Sequence, residues 1–184
     1  MAVGPQTRKF AIVFDWFDQT GDGWLTRSDF EKMAELFKAL AAEDDEANKS
    51  AMEKAFMFWW ETLLEAGDGE PADKIGRQQF IGIMYSSVIE PETFENAIGG
   101  IADGLIAALD TDGSGALSQE EYVRMYDALG IPPATSGEAF RRLDRDGSGE
   151  ISNAEFREAL FEYYLSADEN APGSWLLGEP VAVT

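Results

Sequence analysis

The sequence predicts an all-α protein: four helix–loop–helix units arranged as two pairs in one compact molecule. One observation is an acidic stretch, DTDGSGALSQEE at residues 110–121, which recurs as DRDGSGEISNAE at residues 144–155. Another is what flanks each stretch, namely apolar residues at helical spacing on both sides. A third, looser copy, DQTGDGWLTRSD, occupies residues 18–29.

Within these stretches the oxygen-bearing residues recur at spacings that suit one hard cation. Calcium takes about six to eight oxygens, and a loop of about 12 residues gathers them from positions 1, 3, 5, 7, 9 and 12. In residues 110–121 those positions fall on Asp110, Asp112, Ser114, the backbone carbonyl of Ala116, Ser118 through a water, and Glu121. Residues 144–155 match throughout, with Asp144, Asp146, Ser148, the carbonyl of Glu150, Ser152 and Glu155. Gly115 and Gly149 stand at position 6, where the chain turns sharply, and Leu117 and Ile151 at position 8 should point into the core. Ser118 to Glu121 and Ser152 to Glu155 also have the spacing of a capping box, so each Glu both offers two oxygens and opens the next helix. An acidic turn without a metal is the competing reading, and two full matches weigh against it.

The loop at residues 18–29 departs in two places. Its expected ligands are Asp18, Thr20, Asp22, the carbonyl of Trp24, Thr26 and Asp29, with Gly23 at position 6 and Leu25 at position 8. Thr20 replaces an acidic or amide side chain at position 3, and Asp29 replaces the longer Glu at position 12. Fewer oxygen contacts favour the smaller six-coordinate magnesium ion, so this site is expected to bind calcium more weakly or with magnesium competing. Placing Ile75 at position 8 of a fourth loop puts Asp68 at position 1, Asp73 at position 6 and Gln79 at position 12. The turn glycine and the chelating Glu are then both absent, and Pro71 stiffens the stretch. This second loop is expected to keep its frame without a metal and to pair Ile75 with Leu25.

The chain has 184 residues, 45% of them hydrophobic, and a net charge of −21. Its 14 basic residues are scattered, with Arg141, Arg142 and Arg145 the densest group, so nucleic acid is not an expected partner. Cys and His are both absent, which excludes disulfides, thiol chemistry and most zinc sites. The start, MAVGPQTRKF, lacks the apolar run of a signal peptide, and no stretch is long and apolar enough to span a bilayer. A monomeric cytoplasmic protein is the expectation.

In chain order, residues 8–17 form an amphipathic helix with Phe10, Val13, Phe14 and Phe17 on one face. Residues 28–40 leave the first loop, residues 43–50 read as a polar connection, and residues 52–64 carry a wide apolar stripe that includes Trp59 and Trp60. Residues 77–88 leave the second loop. Pro91 then starts a helix that contains Gly99, Gly100 and Gly104, each costing about 1 kcal/mol relative to Ala. Such glycines suit either close helix packing or a helix that orders only with metal. Residues 122–129, 136–143 and 154–165 complete the later pair. The expected division is a pair at 1–90, a pair at 91–165 and a tail at 166–184. The tail's one apolar cluster is Trp175-Leu176-Leu177, and it either hangs free or docks on a helical groove.

These loops read as those of EF-hands. Four units, a lost second loop, long helices in the first half and the opening FDWFDQTGDGWLTRSDF resemble the sarcoplasmic calcium-binding proteins and their bacterial calerythrin-type relatives. The resemblance implies two EF-hand pairs packed together, about three calcium ions at the first, third and fourth loops, and calcium buffering or transport in the cytoplasm. Three functions compete. A buffer keeps its core closed on binding. A sensor opens a groove, which such proteins tend to line with Met; here Met33, Met52, Met57, Met84 and Met125 are dispersed, and the target would be unknown. A photoprotein of similar architecture would use His, which this chain lacks, and no nucleophile–base pair suggests an enzyme.

Overall fold

The computed structural model describes residues 4–67, 73–88, 90–128, 130 and 133–177. Helix α1 (Pro5–Phe17) opens on Pro5, whose missing N–H costs nothing in a first turn. It enters the first loop, which leaves through strand β1 (Trp24–Thr26) and helix α2 (Arg27–Lys38). Helix α3 (Glu46–Ala66), strand β2 (Lys74–Gly76) and helix α4 (Arg77–Ile83) follow, and a π-helical turn, Met84–Val88, extends α4. Helix α5 (Pro91–Phe94) passes through a second π-helical turn, Glu95–Gly99, into α6 (Gly100–Leu109). Strand β3 (Ala116–Ser118), α7 (Gln119–Ala128), α8 (Pro133–Leu143), β4 (Glu150–Ser152) and α9 (Asn153–Leu165) make the later pair.

Position 8 of each loop sets the pairing. Strand β1 runs antiparallel to β2 with Leu25 opposite Ile75, and β3 runs antiparallel to β4 with Leu117 opposite Ile151. All four side chains are buried, so each contact ties two loops together over the core. The expected Leu25–Ile75 pairing is therefore present. Asp68, Pro71 and Ala72 of the second loop lie outside the described residues.

Several helix limits differ from expectation: α2 ends at Lys38 rather than residue 40, α7 starts at Gln119 rather than residue 122, and α8 starts at Pro133 rather than residue 136. Residues 43–50 are not a plain connection, because α3 starts at Glu46. The Asp45 carboxylate accepts the Asn48 N–H at 3.1 Å, a cap that begins the helix well ahead of its apolar stripe. Helix α1 likewise starts at Pro5 rather than residue 8.

One apolar core runs through both pairs. Phe17 lies 4.6 Å from Phe30 and meets Trp59 edge-on at 5.0 Å, while Phe37 stacks on Phe56 at 5.5 Å. The halves join where α6 crosses α3. A methyl built on Gly100 would lie 3.8 Å from the Ala55 Cβ, and one on Gly104 would lie 3.7 Å from Met52. The glycines thus face a close helix crossing. Lys9 ties the first helix to the last, its ammonium donating to the carbonyls of Ser166 at 2.9 Å and Glu162 at 3.3 Å at the end of α9.

The tail docks. Its 3₁₀ turn, Pro172–Trp175, lies against α8 and α9, Leu176 is buried, and the Trp175 ring sits 4.0 Å from the Arg142 guanidinium. Gly173 is the residue that permits this approach, since a Cβ there would fall 2.3 Å from the Ala159 carbonyl oxygen. No helix among the described residues is long and apolar enough to cross a membrane.

Candidate metal centres

The third and fourth loops share one geometry, fixed by the position-1 aspartate. Asp110 accepts the N–H groups of Ser114 and Gly115, each at 2.9 Å, and Asp144 accepts those of Ser148 at 3.0 Å and Gly149 at 2.9 Å. Asp112 and Asp146 each accept the position-5 N–H at 2.9 Å. The Ser114 and Ser148 hydroxyls donate to the carbonyls of Ala116 and Glu150, both at 3.0 Å, placing the position-5 hydroxyl beside the position-7 oxygen. Gly115 and Gly149 adopt φ of 83° and 89°, in the left-handed region that makes glycine the fitting residue at position 6.

Position 12 closes each ring. Glu121 accepts from Thr111 through one oxygen, at 2.8 Å from its N–H and 2.9 Å from its hydroxyl, and from Ser118 through the other. Glu155 does the same between Arg145 N–H, at 2.9 Å, and Ser152. The two predicted capping boxes are therefore formed, and the same carboxylates face the loop. Carboxylate oxygens of Asp110, Asp112 and Glu121 lie within 4.8 Å of one another, as do those of Asp144, Asp146 and Glu155. Oxygen-only, convergent and anionic, these donor sets fit calcium rather than a softer metal.

Burial works against charge on Glu121, but the hydrogen bonds from Ser118 and Thr111 outweigh it and hold the acid down to about 2. The same balance, with Ser152 and Arg145 donating, lowers Glu155. Asp146 is lowered by the Ser148 donors. These acids stay ionised at neutral pH, the state a cation needs.

The first loop forms a similar turn without the same convergence. Asp18 accepts the N–H groups of Asp22 at 3.2 Å and Gly23 at 2.8 Å, and the Thr20 hydroxyl at 3.2 Å. Asp22 accepts the Trp24 N–H at 2.9 Å. Asp29 caps α2 through one oxygen, with Thr26 N–H at 2.9 Å and the Thr26 hydroxyl at 2.7 Å. Its other oxygen is buried without a hydrogen-bond partner, with the Lys32 ammonium 3.9 Å away. Asp29 lacks the extra methylene that lets Glu121 and Glu155 span from position 9 to position 2. Among the described residues the acids of this loop do not gather as the other two sets do.

Sequence reasoning passed over two contributors. Gly21, Gly113 and Gly147, at position 4, also take left-handed φ of 67°, 73° and 71°, and the Asp-Gly pairs at 112–113 and 146–147 signalled the latter two. The position-2 backbone N–H groups of Thr111 and Arg145 orient the Glu, and a backbone donor leaves no trace in residue type.

Paired helix–loop–helix units with two such loops define an EF-hand protein. A family model described as EF-hand domain matches residues 137–166, and one described as EF hand matches residues 101–126. Calerythrin of Saccharopolyspora erythraea is 29% identical over 156 residues, covering 83% of this chain and 88% of calerythrin. A Streptomyces coelicolor calcium-binding protein described in prokaryotic calcium-mediated regulation superposes with a TM-score of 0.72 at 27% identity, covering 89% of this chain and 99% of that one. The amphioxus sarcoplasmic calcium-binding protein shares the fold, with a TM-score of 0.70 at 18% identity over 98% of this chain and all of that one. The chain is a calcium-binding EF-hand protein similar to calerythrin and to the sarcoplasmic calcium-binding proteins.

Proposed function

We propose that the chain is a non-enzymatic, monomeric calcium buffer of the cytoplasm that takes about three ions. One binds in the pair at residues 1–90, through Asp18, Thr20, Asp22, the Trp24 carbonyl and Asp29, where magnesium competes. Two bind in the pair at residues 91–165, through Asp110, Asp112, Ser114, the Ala116 carbonyl and Glu121, and through Asp144, Asp146, Ser148, the Glu150 carbonyl and Glu155. The observation that carries the reading is a closed core with its loops already drawn in: two acid sets converge while Leu176 covers the apolar interior. A protein that binds ions without exposing new apolar surface stores calcium rather than signalling with it.

A sensor that opens a groove for a target protein is the second reading. It is favoured by the similar Streptomyces coelicolor protein, which is described in prokaryotic calcium-mediated regulation. An apolar fluorescent dye separates the two when calcium is titrated at cellular magnesium. A signal that stays low or falls supports the buffer, and a rise supports the sensor and overturns it. In parallel calorimetry, Glu121→Gln and Glu155→Gln should each remove one ion, and unchanged stoichiometry in both would overturn the site assignment.

A further inference from the structure

The docked tail is joined to all three parts of the fourth hand, directly to its two helices and through Glu162 to its loop. It grips the incoming helix α8 by the Trp175 ring against Arg142, at 4.0 Å. It grips the outgoing helix α9 by the Gly173 N–H, which donates to the Glu162 carboxylate at 2.8 Å, and by backbone contact with Ala159. The loop joins through Arg145. The guanidinium of this residue pairs with the same Glu162 oxygen at 2.7 Å and with Glu158 at 3.4 Å, while its backbone N–H donates to Glu155 at 2.9 Å. Glu162 is thus shared between a residue inside the loop and the tail backbone.

Beneath the tail lies a partly open apolar cavity of about 70 Å³, lined from both halves by Val13, Trp59, Ile101 and Met125 among others, and on the tail side by Leu176 and Leu177. The space is about half that of an engineered apolar cavity that admits benzene, so the tail leucines leave only a small apolar void beneath them.

We propose that calcium at the fourth loop clamps the Pro172–Leu177 segment over this cavity, and that loss of the ion releases it. The inference rests on the assignment of residues 144–155 as a calcium site. Without a cation, three carboxylates whose oxygens lie within 4.8 Å repel one another, and the loop relaxes by spreading. Spreading moves Arg145 and shifts α8 against α9. A short segment fastened to both helices and to Glu162 cannot follow both, and packed contacts yield as discrete steps rather than by gradual stretching. Coupling is reciprocal, so a tail that no longer docks weakens calcium at this loop by the factor that calcium tightens the tail.

Amide hydrogen exchange of Gly173, Ser174 and Leu176 in the full chain, read by NMR with calcium stoichiometry measured on the same sample, tests this. Exchange should slow at least tenfold on going from chelator to saturating calcium, and equal rates would overturn the proposal. Glu155→Gln should lose one ion and leave these amides fast at saturating calcium. Loss of the ion with the tail still protected would overturn the coupling alone, whereas retention of the ion would overturn the calcium assignment beneath it. Glu162→Ala touches no expected ligand. It should keep the stoichiometry, free the tail and weaken one site by the lost protection factor, and unchanged affinity would overturn the relay.

Discussion

At position 12 a single methylene separates the first loop from the other two. Glu121 and Glu155 reach from the position-9 donors to the position-2 N–H, while Asp29 stops at Thr26 and leaves one oxygen buried without a hydrogen-bond partner. Asp29→Glu should let that oxygen complete the span and tighten calcium at the first loop by about tenfold, the worth of one added charge-assisted contact. Calorimetry in competing magnesium reads this, and unchanged affinity would show that Thr20, not Asp29, limits the site. Acid should act most visibly through Glu121. Its folded pKa, about 2, lies below the ordinary glutamate value of about 4.3, so its contribution to stability is complete above that value and is lost as pH falls toward 2. Thermal melts of the calcium-free protein from pH 6 to 2 should show an acid-limb decline that is shallower in Glu121→Gln.

Among the elements, α6 carries the clearest internal conflict. Gly100 and Gly104 weaken a helix that ends at the third loop, yet both face α3. A methyl at Gly104 would make only ordinary contact, 3.7 Å from the Met52 backbone. Gly104→Ala should therefore stabilise the protein by about 0.5–1 kcal/mol, as expected when a helix-interior glycine gains a side chain without a clash. A denaturation midpoint that falls instead would mean that the α3–α6 crossing has no room to give. Gly173 is the opposite case: the Ala159 carbonyl oxygen lies where its Cβ would be, so no side chain fits.

For the whole molecule, charge and core oppose each other. A net charge of −21 favours expansion, and the apolar core that runs through both pairs, together with bound cations, resists it. The melting temperature of the calcium-free protein should rise between 0.01 and 0.15 M salt, where screening shortens from roughly 30 to 8 Å, and the calcium-loaded protein should respond less. Equal responses would indicate that local ion pairs, such as Arg157 with Glu95 and Asp103, already balance the excess.

The sequence by itself determined the loops and how they pair. Calcium chemistry ties residue type to position so tightly that Asp110, Gly115 and Glu121 announce a turn, and position 8 then places Leu117 against Ile151 and Leu25 against Ile75. The start of α3 was obscured because its first turns are polar, and a cap at Asp45 carries no hydrophobic period. Tertiary structure alone decided three further matters: that the glycines of α6 lie at the crossing between the halves, that Leu176 of the tail lines an apolar cavity, and that Glu162 joins Arg145 to Gly173. Each depends on residues distant in sequence meeting at a particular separation. Local pattern cannot encode such meetings, because burial and shape complementarity are set only once the helices have packed.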